Sequence, residues 1–273
     1  METGAATHSA RPVTLPDLRK MKTEGRKIAC LTAYDACFAA LEERAGIDLI
    51  LVGDSLGNVV QGRDTTVSVT VDDVVYHTRC VARGLERAFL MADLPYLSVG
   101  SPEQALRNAA RLMKEGGAKM VKLEGGEAHV AVVEHLAAQG VPICAHMGLK
   151  PQLVHKMGGF RVQGRDPVSA ERMLRDAALM ERAGADLLLL ECVPSELAAR
   201  ITHQSAVPVI GIGAGPDADG QILVVHDALD LTRGRKPRFV RNFMVGAGTV
   251  QAALEGYVSA VREGGFPAPE HCF

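Results

Sequence analysis

Residues 183–193 read AGADLLLLECV: an Ala-Gly pair, a turn, four consecutive leucines, then the carboxylate of Glu191. A short apolar run bounded by polar residues is how a strand buried on both faces of a parallel sheet reads. An unpaired carboxylate cannot be buried cheaply in such a core. Glu191 is therefore expected at the strand's end, where a partner or a substrate can meet it. A solvated loop glutamate would explain one such run, but the plan recurs. AGIDLILVGDS (45–55) leads to Asp54, GGAKMVKLEGG (116–126) leads to Glu124, and AFLMADLPY (88–96) puts Asp93 in the same position.

Working outward, strand and helix patterns alternate along the chain. TLPDLRKMK opens with Thr14, Pro16 and Asp17 spaced as a helix start. Strand-like runs then fall at 27–35, 48–54, 88–93, 119–124, 141–146, 186–191, 207–213 and 222–227. Helical spacing falls at 36–46, 70–85, 101–117, 127–140, 166–184, 195–204 and 250–264, with caps such as Ser101-Pro102 and stops such as Gly46 and Gly116. Eight strands interleaved with helices predict an α/β fold, a (β/α)8 TIM-type barrel preceded by an N-terminal helix. An open doubly wound sheet is the alternative, and the stretch 214–249 is the weak part because no strong helix separates strands seven and eight. No linker composition divides residues 1–273, so they read as one barrel domain, with residues 1–13 a flexible N-terminal segment.

The chain has 273 residues, with 30 Lys+Arg mixed among 32 Asp+Glu and a formal charge of −2. There is no basic stripe for nucleic acid. Six cysteines are scattered singly without a C-x-x-C pair, which argues against zinc knuckles and disulfides and for a reducing compartment. No apolar run approaches the roughly 18 residues of a membrane span, and no signal-peptide core is present. A cytoplasmic enzyme is expected.

In a barrel the chemistry sits at the C-terminal ends of the strands. Asp54, Asp93, Glu124, His146 and Glu191 fall at the ends of strands two to six. Lys122 and Glu124 are two apart, so both leave the same face of their strand, and an inward Lys122 beneath carboxylates would be paired and could hold an anionic substrate. Carboxylates converging without thiolates suit a hard cation such as Mg²⁺. His146 reads either as a neutral hydrogen-bonded group or as a ligand. GIGAG (211–215) reads either as a phosphate-approaching loop or as tight packing. GLKPQLVHKMGGFRVQGRD (148–166) is long for a turn and reads either as a mobile flap or as a short ordered helix over the barrel mouth.

The assembled motifs resemble the ketopantoate hydroxymethyltransferase family: LTAYD (31–35), LVGDSLGNVVQG (51–62), ADLPY (92–96), VKLEGG (121–126), AHMGLKPQ (145–152), GGFRVQGR (158–165), LLLLECVP (187–194) and IGIGAGPDADGQILVVHD (210–227). The resemblance runs from about residue 14 to 262. It implies an α/β barrel of the pantothenate (coenzyme A) pathway, dependent on Mg²⁺ and assembled as a homo-oligomer, commonly a decamer. The implied reaction transfers a one-carbon unit from 5,10-methylenetetrahydrofolate to 3-methyl-2-oxobutanoate, giving 2-dehydropantoate through a Mg-stabilised enolate. Residue by residue, Asp54 and Asp93 resemble the metal ligands, Glu124 supports the metal shell, Ser55 and Lys122 resemble contacts to the ketoacid, and Glu191 resembles the catalytic base. Three positions depart from the family pattern: Asn58 stands where a hydrophobic residue is usual, Lys150 where a small polar one is, and Asp230 where Gly is. A partly apolar strand end raises a carboxylate's pKa toward that of a useful base, which gives Glu191 its reason. The competing functions are another Mg²⁺-dependent barrel lyase or aldolase, of the phosphoenolpyruvate mutase/isocitrate lyase type, and a non-catalytic phosphate- or flavin-binding barrel built on GIGAG.

Overall fold

Asp17 accepts hydrogen bonds from both the backbone N–H and the hydroxyl of Thr14, at 2.9 and 2.6 Å, and so starts the first helix, α1 (Leu15–Thr23). The computed structural model describes residues 11–159, 161–232, 234 and 236–273. Residues 1–10 of the segment expected to be flexible lie outside the described residues. Val13, at its inner edge, is buried, and its N–H bonds the Arg87 carbonyl at 2.7 Å.

After α1 come β1 (Ile28–Thr32), α2 (Ala36–Ala45), β2 (Leu49–Val52), a short α3 (Leu56–Val59), α4 (Val71–Ala82), β3 (Phe89–Asp93), α5 (Pro102–Lys114) and β4 (Met120–Glu124). Then follow α6 (Val130–Ala138), β5 (Ile143–Gly148), a short α7 (Val154–Met157), α8 (Pro167–Ala183), β6 (Leu187–Glu191), α9 (Ser195–Gln204), β7 (Val209–Ile212), β8 (Gly220–Leu223), a short α10 (Val225–Ala228) and α11 (Val250–Arg262). The eight strands pair in sequence order, all parallel, and β8 closes on β1. The fold is the barrel that the alternation predicts. The open doubly wound sheet is excluded.

The strands are buried on both faces, which is why they read as unbroken apolar runs rather than alternating ones. The run Leu187–Leu190 shows the division. Leu189 lines the barrel's cavity, while Leu188 and Leu190, of opposite parity, are buried on the other face. Glu191 continues the inward row. Its carboxylate is aimed into the barrel mouth by strand parity.

The eighth strand corrects the sequence reading. The run 222–227 looks like a strand, yet the paired residues are Gly220–Leu223, and Val225–Ala228 form a helical turn. Register explains this. Gly220 lies opposite Ile28, and a Cβ there would come within 2.4 Å of the Ile28 carbonyl oxygen, so the strand begins at the one residue without a side chain. The Thr32 hydroxyl accepts the Val225 N–H and turns the chain out of the sheet. No helix separates β7 from β8. The return leg is held by Lys27, which donates to the carbonyls of Pro216 and Ala218, and by Asp219, which accepts from Lys22 and from the Val209 N–H. With Arg19 paired to Asp186, α1 lies across the N-terminal end of the barrel, opposite the cavity.

Tyr257 of α11 locks the seam. Its buried hydroxyl sits 2.7 Å from the Cys30 carbonyl of β1 and 2.9 Å from the Gln221 carbonyl of β8. Tyr257→Phe removes the hydroxyl that bridges those carbonyls, so it should cost about 1 kcal/mol. Urea unfolding should show a lower midpoint at an unchanged slope, and an unmoved midpoint would deny the hydroxyl any role in closing the barrel.

Candidate active site

One cavity of about 570 Å³ opens at the C-terminal ends of the strands. Asp54, Ser55, Asp93, Lys122, Glu124, His146 and Glu191 all line it, so every residue singled out from the sequence converges there. Asp93, Glu124 and Glu191 are the last residues of β3, β4 and β6, and His146 lies within β5. Asp54 follows β2 by two residues, and its backbone N–H donates to Asp93 Oδ2 at 2.9 Å. Ser55 and Tyr34 share a hydrogen bond of 2.8 Å between their hydroxyls.

Asp93 and Lys122 are cross-strand partners in the β3–β4 register, and Lys122 Nζ stands 2.6 Å from Asp93 Oδ1. Both groups are almost wholly inaccessible, at 2% and 5% exposure. Burial alone would discharge the lysine. Asp93 and then Asp54 reverse this and push its pKa above the usual range, so it stays an ammonium. The acids are shifted the other way. Burial, reinforced by Asp93, pushes Asp54 up to about 7, and burial raises Glu124 and Glu191 each to about 8. Asp93 is raised too, by burial against the pull of Lys122.

These acids are held in a state that a cation would relieve. Glu124 Oε2 is buried without a hydrogen-bond partner, and four carboxylates share the buried Lys122 ammonium. The oxygen-only donor set suits Mg²⁺. Among the described residues no group of three or more His, Cys, Asp or Glu side chains is disposed to hold a metal ion alone.

His146 lies between Lys122 and Glu191. Its Nδ1 is 3.3 Å from Lys122 Nζ, and its Nε2 is 3.2 Å from Glu191 Oε2. Burial, then the charges of Lys122 and Lys150, hold its pKa well below the ordinary value, so the ring is neutral.

The connection after β5 is where the sequence reading fell short. Among its described residues the ordered alternative holds: a 3-10 turn (Pro151–Leu153) runs into α7, and Phe160 lies outside the described residues. Gln152 reaches down from that turn into the acids. Its Nε2 donates to Asp54 Oδ2 at 2.8 Å and to the Leu94 carbonyl at 3.1 Å, and its backbone N–H donates to Glu124 Oε1 at 3.0 Å. The GIGAG loop takes its packing alternative. A Cβ at Gly213 would strike Phe239 at 2.8 Å, and one at Gly215 would strike Ser195 at 2.5 Å, so protein atoms already fill the approach. The departures are also placed. Asn58 donates to the Arg63 carbonyl, Lys150 sits near Glu124 and Asp176, and Asp230 has φ +63°, a conformation that favours Gly and that Asp tolerates.

A closed parallel barrel with a carboxylate-lined cavity at the C-terminal ends of its strands has the architecture of an enzyme. The family described as ketopantoate hydroxymethyltransferase matches residues 12–269. Among similar proteins are the 3-methyl-2-oxobutanoate hydroxymethyltransferases of Alkalilimnicola ehrlichii, 59% identical over 273 residues, and of Halorhodospira halophila, 61% identical over 274. Both alignments span 100% of this chain and 99% of the relative. Among solved structures, phosphonopyruvate hydrolase in complex with oxalate and Mg²⁺ has a TM-score of 0.61 at 15% identity, over 94% of this chain and 92% of that one. A 2,3-dimethylmalate lyase of the PEP mutase/isocitrate lyase superfamily has 0.57 at 17%, over 77% and 80%. At such identities the structural likeness shows the fold alone. The chain belongs to the ketopantoate hydroxymethyltransferase family, and it is a hydroxymethyltransferase. The lyase and ligand-binding alternatives give way to that assignment.

Proposed function

We propose that the enzyme transfers a hydroxymethyl group from 5,10-methylenetetrahydrofolate to 3-methyl-2-oxobutanoate, giving 2-dehydropantoate for pantothenate synthesis in the cytoplasm. The observation that carries this reading is the inward Glu191 carboxylate, raised to about 8 by burial, opposite a buried ammonium on the same cavity. A base near neutral pKa and a fixed cation are what a ketoacid needs if its C3 proton is to be removed.

Lys122 binds the substrate carboxylate, and Ser55, steadied by Tyr34, donates to it. Asp54 and Asp93 would hold Mg²⁺ directly, with Glu124 behind them. When bound, the ion supplies Lewis-acid stabilisation to the charge that grows on the 2-oxo oxygen. Glu191 takes the proton from C3, and C3 bonds to the methylene carbon carried by folate. That carbon's two bonds to folate nitrogens break, water supplies the hydroxyl oxygen, and the nitrogens take up the two protons as tetrahydrofolate leaves. The net reaction consumes one water. Leu189, two residues before Glu191 on the inward row of β6, and Ile212, its register partner on β7, are apolar neighbours of the base and keep its pKa high. As in the resemblance, the chain works as a homo-oligomer, commonly a decamer. The exposed apolar side chains of Tyr76, Leu97, Val168 and Val245 are surface that such an assembly could cover.

The test is a product assay with both substrates. 2-Dehydropantoate should form only when folate, ketoacid and Mg²⁺ are all present, and a chelator should stop it reversibly. Turnover of the ketoacid without folate to a cleavage product would instead revive the lyase reading.

A further inference from the structure

We infer that His146 is a positioning residue for Glu191: Lys122 holds the imidazole as its Nε2–H tautomer, and that N–H holds one oxygen of the Glu191 carboxylate in the working enzyme. The inference rests on Glu191 being the base. The three residues sit on consecutive strands, β4, β5 and β6, with the imidazole between the other two side chains.

An ammonium can only donate. With Lys122 Nζ 3.3 Å from Nδ1, that nitrogen must accept, so the single hydrogen of the neutral ring sits on Nε2. Nε2 is buried and makes no aligned hydrogen bond, although Glu191 Oε2 is only 3.2 Å away. The Leu149 carbonyl is the other acceptor beside the ring. A buried N–H without a partner is costly, and contacts of this kind often align only once substrate is bound. The charged groups facing Glu191 are Lys122 from β4, Asp93 from β3 and Asp54 beyond β2, and β7 contributes the apolar Ile212. His146 is thus the neutral donor on that carboxylate's flank. Two consequences follow. His146 cannot itself receive the C3 proton at Nε2, because that position is already protonated. And Glu191, with one oxygen held by Nε2–H, turns its other oxygen toward C3.

The test is exchange of the ketoacid C3 hydrogen with deuterium, in heavy water with Mg²⁺ and no folate. Three substitutions separate positioning from bulk. Leucine keeps the volume and has no donor. Glutamine can place an amide N–H near the Nε2 position, and asparagine reaches only as far as Nδ1. His146→Leu and His146→Asn should exchange at least tenfold more slowly at an unchanged ketoacid KM, and His146→Gln should recover most of the loss. If His146→Leu does not fold, the asparagine and glutamine variants carry the comparison. Equal exchange in those two, or wild-type exchange in His146→Leu, would overturn the inference. Glu191→Gln is run beside them. If it exchanges normally, the base assignment itself fails, whereas a dead Glu191→Gln with normal His146 variants removes only the positioning role.

Discussion

Glu191→Gln should slow both C3 exchange and overall turnover by on the order of a hundredfold or more, while ketoacid binding survives. Glutamine keeps the shape of the side chain at the end of β6 and removes the proton acceptor. In the wild type, burial pushes the carboxyl up to about 8 against the pull of Lys122, so the ionised fraction grows across the neutral range. Exchange should therefore climb with pH from about 6 to about 8, and the variant should lack that limb. Stability moves the opposite way. The folded pKa is raised above the unfolded one, so between about 4.5 and 8 the folded chain holds a proton that the unfolded chain has lost, and stability falls as pH rises through that window. Glutamine does not titrate and escapes this penalty. Relative to wild type, the variant should melt higher at pH 8 than at pH 5. If exchange stayed fast while turnover collapsed, Glu191 would belong to the transfer step instead. If the relative melting temperature were the same at both pH values, the raised pKa would be wrong.

What the sequence made legible was periodic. Short apolar runs alternating with helical spacing, four of them closed by Asp54, Asp93, Glu124 or Glu191, pointed to the barrel, its C-terminal cavity and the acids around it, because strand parity and strand ends are set by local spacing. Lys122 and Glu124 needed only the period of two. What stayed hidden depends on the chain meeting itself over long distances. Gln152 looks like an ordinary loop glutamine, and its role appears only when the turn after β5 lands on Asp54, 98 residues away. The eighth strand begins at Gly220-Gln221, a pair with no strand signature, because the limiting contact is with Ile28 across the seam. GIGAG read equally well as a ligand loop or as tight packing, because glycine at a ligand and glycine against Phe239 leave the same trace in a sequence. For His146 the strand was readable but not its end, since β5 runs on to Gly148, and its tautomer needs the lysine on one side and the glutamate on the other.

Lys122→Met should weaken the protein and its grip on ketoacid together, and the two effects can be separated. The ammonium is the buried cation among Asp54, Asp93, Glu124 and Glu191, and its loss leaves Asp93 facing a methyl group instead of a charge 2.6 Å away. Removing one member of a buried pair costs about 3–5 kcal/mol, mainly because the survivor stays buried without compensation. The destabilisation should be greatest near pH 8. It should shrink toward pH 5, where the acids, already raised by burial, take up protons and no longer need the ammonium. Adding Asp93→Asn removes the stranded charge, so the double variant should unfold at higher urea than Lys122→Met alone, a coupling expected only for side chains in contact. Ketoacid affinity should not return with it. Asparagine at position 93 restores the charge balance of the cavity but supplies no cation for the substrate carboxylate. A double variant that regained both stability and affinity would show that Lys122 serves the fold and leaves the ketoacid to another group. Because Asp93 also serves the metal, the ammonium is placed on the substrate by the single variant: a folded Lys122→Met whose ketoacid KM rises while its Mg²⁺ dependence is unchanged.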